Sequence, residues 1–360
     1  MKITKEMGIT PSATIFTTRE PVFLDVTKEP FALYGFAKKF RRLPDEIAEA
    51  VNSEAERMSR YSAGCRIRFK TTSDYIGIYA VMGGQEHPSS MAPASRYGYD
   101  IYFYENGCQR YAGTMGASRV KHDGYFEERM HFGNNDQKDV VIYLPICAEM
   151  KELYVMLREG CELDAPSKYK IETPIVWYGS SIVQGIGAGR PGTIYTNELS
   201  RRFDANILNL GFGGGAKAEQ VMMDYLSDLE MCVFVYDYDH NTPSSEYLKS
   251  THYNGYKTIR DKHPGLPIIL ASRPDYHFNP DNREANERKR QIILATFERA
   301  KAAGDENIWF VDGSEMYPES ARECASSDGC HPNDLGYFLM ANAFAPALKE
   351  ALAKSEKAGK

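Results

Sequence analysis

Five short apolar runs alternate with helical stretches in the second half of the chain, and this alternation restricts the fold more than any other feature of the sequence. The runs lie at residues 175–178, 207–208, 232–236, 266–271 and 307–312. Stretches long enough for crossover helices lie at residues 218–229, 246–262 and 283–303. Strands joined by helices form a parallel sheet with helices on both faces. The sequence therefore predicts an α/β, three-layer, flavodoxin-like fold, with a last helix over about residues 334–354 that Pro346 should kink or divide.

The first half of the chain differs, because its short strand-like runs are separated only by turns. The runs lie at residues 65–70, 76–81, 101–104 and 140–144, with glycine- and asparagine-containing turns at residues 83–84, 105–107 and 133–136. This pattern is typical of a β-sandwich. Residues 164–170 (DAPSKYK) have the composition of a linker. A chain of 360 residues accommodates two domains, which we place at residues 1–165 and 166–360.

A candidate nucleophile follows the first apolar run of the second half. Residues 179–185 (GSSIVQG) come directly after residues 175–178 (IVWY). A small side chain there stands at the carboxyl end of a strand, where open α/β sheets bind their ligands. Ser181 is therefore a candidate for nucleophilic catalysis. A serine after a strand is more often a helix N-cap or a turn residue, so Ser181 alone is weak evidence.

An aspartate and a histidine lie three residues apart far downstream, in residues 328–332 (DGCHP). A carboxylate at this spacing can fix the tautomer of the imidazole and stabilise the imidazolium that forms when the ring takes a serine proton. We expect His331 to be the general base and Asp328 to orient it. In the alternative interpretation this segment is only a loop into the last helix, with Asp334 near the helix start. That alternative leaves Asp328 unexplained.

Two further segments have groups that stabilise negative charge. Residues 209–215 (NLGFGGG) follow the second run of this half, and their glycines expose backbone N–H groups that suit an oxyanion hole or, by the same chemistry, a phosphate-binding loop. Asn241 follows the third run and has a side-chain amide that can donate to an oxyanion. In isolation, an asparagine before Thr-Pro is as often a turn residue. The sequence thus offers Gly214 and Asn241 as oxyanion donors.

These segments resemble the four blocks of the SGNH, or GDSL-type, hydrolase superfamily, which supply Ser, Gly, Asn and His in this chain order. The resemblance covers about residues 172–355. It assigns these roles: nucleophile, Ser181; oxyanion donors, Gly214 and Asn241; remaining triad members, Asp328 and His331. The chain departs from the family pattern at Ser180, where aspartate is usual, and at residues 239–242 (DHNT), where Gly-x-Asn-Asp is usual.

A second resemblance lies in the first half of the chain. Residues 97–102 (YGYDIY) are similar to the Gly-x-Asp-Leu-Tyr signature of a β-rich domain that precedes such hydrolases, with Ile101 in place of leucine. Together the two resemblances imply a jelly-roll-like β-sandwich followed by an SGNH hydrolase domain.

The implied activity is that of a serine esterase acting through an acyl-enzyme. Two-domain relatives often remove O-acetyl groups from carbohydrates, so the implied substrates are acetylated plant oligosaccharides such as mannan or xylan fragments. Two alternatives stay open: a carbohydrate-binding protein with a vestigial site, and an acyltransferase that uses the same triad. The candidate substrate contacts are Tyr178, Phe212, Tyr238 and Arg273, with Tyr276 and Phe278 as further aromatic candidates. Each aromatic is more often a packing residue than a sugar platform.

Composition argues against several other classes of protein. The net charge is −6 and no basic stripe is present, which argues against a nucleic-acid surface. No apolar segment approaches membrane-spanning length, and the first residues lack the apolar core of a secretory signal. Seven cysteines without paired spacing indicate reduced thiols. We therefore expect a cytoplasmic protein whose partner is a small-molecule or oligosaccharide substrate. Its oligomeric state, a homo-oligomer included, stays open.

The sequence predicts no cofactor and no metal site. Residues 237–248 begin like a calcium loop, but the sixth position is Thr242 and the twelfth is Leu248. The cysteines and histidines show no zinc-binding spacing. The glycine-rich residues 185–190 lack the spacing of a dinucleotide-binding turn.

Overall fold

The structure is a computed structural model that describes residues 1–11, 14–15, 21–85, 87–116 and 124–358. Its strands are β1 (Val22–Asp25), β2 (Ala32–Tyr34), β3 (Arg66–Thr71), β4 (Tyr75–Gln85), β5 (Tyr99–Glu105), β6 (Cys108–Met115), β7 (Tyr125–His131), β8 (Lys138–Tyr143), β9 (Ala148–Leu157), β10 (Leu163–Asp164), β11 (Ile171–Gly179), β12 (Ala205–Gly211), β13 (Val233–Asp237), β14 (Ile268–Ala271) and β15 (Ile308–Val311). Its α-helices are α1 (Asp45–Val51), α2 (Ser53–Ser59), α3 (Pro93–Arg96), α4 (Ser181–Gln184), α5 (Tyr195–Phe203), α6 (Gln220–Asp228), α7 (Ser245–Lys262), α8 (Arg283–Ala302) and α9 (Asp334–Ala358).

The chain divides into two compact units. The first comprises Met1–Arg42, Arg60–Lys170 and Gly189–Gly192, and the second comprises Leu43–Ser59, Ile171–Ala188 and Thr193–Lys360. The main crossing between the units thus falls five residues after the predicted boundary at residue 165. Two short excursions are absent from the prediction: residues 43–59 lie in the second unit, and residues 189–192 lie in the first.

The first unit is a sandwich of two antiparallel sheets, as predicted. One sheet has the strand order β1-β9-β4-β7, and the other has the order β10-β3-β8-β5-β6 with β2 paired to β3. Alternate side chains along these strands are buried in one shared core. Ile78 and Val155 enter this core from the first sheet, and Ile67 and Ile142 enter it from the second. The turn-separated runs of the sequence therefore mark the strands of a β-sandwich.

The Gly-x-Asp segment at the start of β5 has a structural task within the first unit. Gly98 leaves no room for a side chain, because a Cβ there would lie 2.2 Å from the carbonyl oxygen of Ala94. Asp100 is fully buried, and its Oδ2 accepts hydrogen bonds from Arg190 Nη1 and from the Gly192 N–H, each at 2.7 Å. Asp100 therefore fastens the short excursion at residues 189–192 to the first unit.

The second unit is built on a parallel sheet with the strand order β12-β11-β13-β14-β15. Helices flank the sheet: α5 contacts α9, α6 contacts α7, and α7 contacts α8. The five predicted strands and three predicted crossover helices are all present, so the α/β prediction is confirmed. Helix α9 continues through Pro346 and does not divide there. Among the helices of the described residues, none combines the length and apolar character needed to cross a membrane.

Three strands end at the same level on the carboxyl edge of this sheet. Gly179, the last residue of β11, pairs with Gly211 of β12 on one side and with Asp237 of β13 on the other. A Cβ on Gly179 would lie 2.1 Å from the carbonyl oxygen of Asp237, so a glycine is required at this position. The segments that follow these three strand ends therefore begin side by side.

Candidate active site

Ser181 is the first residue of α4, two residues after the end of β11. The preceding residue, Ser180, caps this helix, because its Oγ accepts a hydrogen bond from the Ile182 N–H at 3.2 Å. The capping role that a serine usually has in this place is thus taken by Ser180. Ser181 is 9% exposed, and its hydroxyl is directed to a different partner.

That partner is His331, which in turn contacts Asp328. Ser181 Oγ lies 3.0 Å from His331 Nε2, and His331 Nδ1 lies 2.9 Å from Asp328 Oδ2. The other carboxylate oxygen of Asp328 accepts hydrogen bonds from the backbone N–H groups of Cys330 at 3.0 Å and His331 at 2.7 Å. One aspartate therefore fixes both the turn and the imidazole that the turn carries. The structure brings the three predicted catalytic side chains together.

The surroundings favour an ionised carboxylate and a basic imidazole. Burial opposes the ionisation of Asp328, but hydrogen bonds from the side chain and backbone of His331 outweigh burial and lower the Asp328 pKa to about 2. Burial also disfavours the protonated form of His331, but Cys330 and Asp328 outweigh it, so the pKa of His331 is raised. Such an imidazole can take a proton from an adjacent hydroxyl and hold the resulting charge beside a carboxylate.

The glycine-rich loop after β12 passes beside Ser181. A Cβ on Gly213 would lie 3.2 Å from the Cβ of Ser181, and the Gly213 N–H donates to Gln184 Oε1 at 2.9 Å. Gly214 has a φ of +71°, a conformation that favours glycine. Within the described part of the chain, the Gly214 N–H has no acceptor. It is therefore available to an oxyanion, which is the role predicted for it.

Asn241 ends a short 3₁₀ turn, Asp239–Asn241, that follows β13. Its backbone N–H donates to the carbonyl oxygen of Tyr238 at 3.1 Å, which holds the turn. Its side-chain Oδ1 is buried and has no hydrogen-bond partner among the described residues. The role predicted for Asn241 belongs to its Nδ2–H groups, since Oδ1 can only accept a hydrogen bond, and that role stays a prediction.

Three of the predicted substrate contacts are wrong, because their side chains lie in the core. Tyr178 and Phe212 have no exposed surface, and Tyr238 is 1% exposed. The Tyr178 hydroxyl accepts a hydrogen bond from the Ala218 N–H at 3.0 Å, and the Tyr238 ring stacks on Tyr236 with ring centroids 4.6 Å apart. The parallel sheet is covered on both faces, so aromatic side chains near its strand ends pack inward rather than toward a ligand.

The remaining predicted contacts are partly exposed. The Arg273 guanidinium is held by the Asp275 carboxylate, with Nε and Nη2 at 2.6 and 2.5 Å from its two oxygens. The Tyr276 hydroxyl donates to Glu287 at 2.7 Å. Phe278 stacks on Tyr317 with ring centroids 5.4 Å apart. Contact of Arg273 with substrate stays a prediction, although its hydrogen bonds to Asp275 indicate a positioning task.

A helix pair from early in the chain packs on the glycine-rich loop, and the sequence gives no signal for it. Asn52 lies between α1 and α2, and its Nδ2 donates to the Gly215 carbonyl oxygen at 2.9 Å and to Glu219 Oε1 at 2.7 Å. Gly215 has no room for a side chain, since a Cβ there would lie 2.4 Å from the Ala55 nitrogen. A short helix pair carries no local pattern that identifies a partner 163 residues further along the chain.

A cluster of polar side chains next to His331 also escapes sequence analysis. His240 Nε2 lies 3.3 Å from Cys330 Sγ and 3.3 Å from Asp275 Oδ2. Burial alone would raise the pKa of the Cys330 thiol, but His240 and His331 outweigh it and lower that pKa to about 6. Burial would lower the pKa of His240, but Asp275 and Cys330 outweigh it and raise that pKa to about 9. No sequence spacing predicts the cluster, because its members follow different strands.

The fold and the site together define a class of protein: a hydrolase of the SGNH, or GDSL-type, superfamily with an N-terminal β-sandwich. The chain belongs to this esterase family. Residues 172–349 match the GDSL-like lipase/acylhydrolase family, and residues 22–163 match the family GxDLY, described as the N-terminus of SGNH-hydrolase-type esterases. The family membership predicted from the catalytic blocks and the Gly-x-Asp segment is thereby confirmed.

Solved structures share this two-part fold over most of the chain. A protein from Bacteroides ovatus ATCC 8483, described as a GDSL-like lipase, is 25% identical with a TM-score of 0.83, over 93% of this chain and 98% of that one. The salicylyl-acyltransferase SsfX3 from a tetracycline biosynthetic pathway is 19% identical with a TM-score of 0.74, over 92% and 97%. The acetyl xylan esterase Est2A from the rumen bacterium Butyrivibrio proteoclasticus is 12% identical with a TM-score of 0.59, over 93% and 99%. The last two are similar in fold alone. No curated protein sequence matches the chain.

Proposed function

We propose that the protein is a serine esterase that removes O-acetyl groups from carbohydrates, with acetylated plant oligosaccharides such as mannan or xylan fragments as its substrates. The observation that carries this proposal is the line of contacts from Ser181 Oγ through His331 to Asp328, at 3.0 and 2.9 Å. Membership of the SGNH esterase family supports ester chemistry at that serine. The shared fold with an acetyl xylan esterase motivates the choice of an acetylated carbohydrate.

In the first half-reaction, Ser181 Oγ attacks the carbonyl carbon of the acetyl ester. His331 Nε2 takes the hydroxyl proton, and Asp328 accepts a hydrogen bond from Nδ1–H and stabilises the imidazolium. The carbonyl oxygen becomes an oxyanion that the Gly214 N–H and the Asn241 amide receive, each donor lowering the barrier by about 3 to 4 kcal/mol in comparable sites. The intermediate then collapses: His331 gives its proton to the sugar oxygen, the C–O bond breaks, and the deacetylated sugar leaves.

In the second half-reaction, water takes the place of the sugar. His331 removes a proton from the water as it attacks the acetyl carbonyl, and the same donors receive the second oxyanion. Collapse returns the proton to Ser181 Oγ and releases acetic acid, which ionises in solution. The serine, imidazole and carboxylate are thereby restored.

Transfer of the acyl group to another alcohol is the competing use of the same acyl-enzyme. The structural similarity to a salicylyl-acyltransferase raises this alternative. The two activities differ only in which hydroxyl reaches the acyl-enzyme. Addition of unacetylated oligosaccharides during turnover separates them, since an acyltransferase forms acetylated acceptor at the expense of free acetate.

The test of the proposal is acetate release from acetylated mannan and xylan oligosaccharides, with p-nitrophenyl acetate, butyrate and octanoate in parallel. Wild type should prefer acetyl esters and release acetate from at least one glycan. Ser181→Ala should lose at least about 10³-fold in kcat. Ser180→Ala is the matched control, since it removes the neighbouring hydroxyl, which caps α4, and should cost stability of about 1 kcal/mol but little turnover. Equal turnover by wild type and Ser181→Ala would exclude the proposed mechanism.

A further inference from the structure

The cluster beside His331 brings together three side chains whose donor atoms can bind a metal. His240 Nε2, Asp275 Oδ2 and Cys330 Sγ lie within 4.8 Å of one another, and the imidazole nitrogen is 3.3 Å from each of the other two. The three residues come from separate segments of the second unit: His240 follows β13, Asp275 follows β14, and Cys330 lies in the turn before α9. The donors therefore converge by tertiary structure rather than by position in one loop.

The two distances from His240 Nε2 fit a tetrahedral zinc ion, and the other two donor atoms lie within 4.8 Å of each other. Zinc bonds to nitrogen, oxygen and sulfur are about 2.0 to 2.3 Å long, which at tetrahedral angles places neighbouring donors about 3.3 to 3.6 Å apart. The two distances from His240 Nε2 are both 3.3 Å. A set of one thiolate, one imidazole and one carboxylate suits a borderline cation such as zinc better than calcium or magnesium, which prefer oxygen ligands. Three protein ligands leave a fourth position for water.

The surroundings hold these donors in place. Arg273 binds both oxygens of Asp275, at 2.6 and 2.5 Å, and so fixes the carboxylate as second-layer partners of metal ligands do. Each carboxylate oxygen has two lone pairs, so Oδ2 retains one for a cation. Asp275 is 5% exposed, whereas His240 and Cys330 are partly exposed, which leaves an entry path.

We propose that His240, Asp275 and Cys330 form a binding site for zinc or a similar divalent cation, and that its occupation inhibits the esterase. The cation would take the place of the proton that His240 Nε2 shares with Cys330 and Asp275. Cys330 directly precedes His331, and the rings of His240 and His331 lie 6.4 Å apart. A divalent charge bound to the residue next to His331 opposes formation of the His331 imidazolium, which acylation requires. The inhibition rests on the proposed function, and the binding does not.

Binding is tested by titration of Co²⁺ into the metal-free protein. A thiolate-to-cobalt charge-transfer band should grow to saturation at one cobalt per chain and disappear when Zn²⁺ is added. Cys330→Ser should lack the band, and His240→Gln should weaken cobalt binding at least tenfold. The matched controls are Cys108→Ser and Cys324→Ser, which remove exposed thiols outside the cluster and should retain the band. Circular dichroism shows whether each variant is folded.

Two results would overturn the binding site: no band in wild type, or a band of unchanged strength in both Cys330→Ser and His240→Gln. Inhibition is measured separately, as ester turnover across the same range of Zn²⁺ concentration. The turnover rate of wild type should fall at least tenfold, and half of this loss should occur at the Zn²⁺ concentration that half-saturates the binding site. The turnover rate of Cys330→Ser should stay at the value that this variant has without zinc. Cobalt binding without any loss of turnover would overturn the inhibition. If no ester is turned over, the proposed function fails while the cobalt titration still decides the site.

Discussion

Asp328 has two tasks within one turn, since one carboxylate oxygen holds the His331 ring and the other holds two backbone N–H groups. The amide oxygen of Asp328→Asn can still accept hydrogen bonds from the backbone N–H groups, but the side chain cannot serve as an anionic acceptor for His331 Nδ1–H. We expect kcat to fall by about 10³ to 10⁴, as when a triad aspartate is replaced elsewhere, with KM changed by less than about threefold. Steady-state kinetics with p-nitrophenyl acetate measure both constants.

The control for Asp328→Asn is Asp334→Asn. Asp334 lies at the start of α9 and accepts a hydrogen bond from Thr193 Oγ1 at 2.5 Å, so the substitution removes an equal charge near the same turn without touching the imidazole. Similar losses of kcat in the two variants would show that Asp328 acts through net charge rather than through its hydrogen bond to His331.

Single residues show which part of the site could be predicted from sequence. Ser181, Asp328 and His331 are recognisable because two short spacings and one strand end carry the required chemistry. The position of Tyr178 near a strand end suggests contact with substrate, but its exposure depends on which helices cover that strand, and a local pattern does not contain that information. Cys330 and His240 meet only through sheet topology, so neither spacing nor residue type predicts their contact.

At the scale of elements, the conformation of the loop after β12 underlies the backbone donor proposed at Gly214. An alanine at Gly214 would have to adopt a φ of +71°, which costs about 1 to 2 kcal/mol and displaces the N–H that we propose as an oxyanion donor. We expect Gly214→Ala to lower kcat at least tenfold. Gly304→Ala is the matched control, because Gly304 has a φ of +87° in open space after α8 and should lose similar stability without loss of turnover. Equal kcat in the two variants would remove Gly214 from the oxyanion hole.

Strand β13 ends in a buried carboxyl group that should make stability depend on pH. Burial raises the pKa of Asp237 to about 7, although the Tyr195 hydroxyl donates to its Oδ2 at 2.6 Å. The folded-state pKa of Asp237 exceeds its unfolded-state value of about 3.9. The protonated Asp237 therefore makes its full contribution to the free energy of unfolding below about pH 3.9, and this contribution is lost as the pH rises through about 7. Each unit of difference corresponds to about 1.4 kcal/mol. Asp237→Asn should therefore flatten the fall in unfolding free energy between about pH 4 and pH 7.

Urea unfolding at several pH values tests this dependence. Asp281→Asn is the control, since Asp281 is exposed and the substitution removes one carboxylate from the surface. The Asp281 variant should follow the wild-type pH dependence. An Asp237→Asn variant with the wild-type slope would place the pH-sensitive group elsewhere.

At the scale of the whole molecule, the alternation of apolar runs is enough to predict the parallel, helix-covered sheet of the second unit, because parallel strands joined by helices have few arrangements. The turn-separated runs likewise predict the sandwich. The two excursions of the chain are not predictable in this way. Residues 43–59 and 189–192 change units through contacts of Asn52 and Asp100, which are single hydrogen-bonding residues without periodic pattern.

The second excursion gives a prediction for the first unit. Asp100→Ala would leave the Arg190 guanidinium and the Gly192 N–H without their buried acceptor, which should cost about 3 kcal/mol of unfolding free energy. Asp136→Ala, in an exposed loop of the same unit, should cost less than about 0.5 kcal/mol. Thermal unfolding compares the two variants. Equal midpoints would show that Asp100 does not anchor the excursion.

The proposed mechanism requires that Ser181 is the nucleophile and that His331 activates it. The most direct measurement is reaction with a fluorophosphonate, which attaches covalently to an activated serine, followed by mass spectrometry of the digested protein. We expect one label on Ser181 in wild type and in Ser180→Ala, with ester turnover lost in step, and no label in His331→Ala. A label on another residue, or ester turnover that survives complete labelling of Ser181, would contradict it.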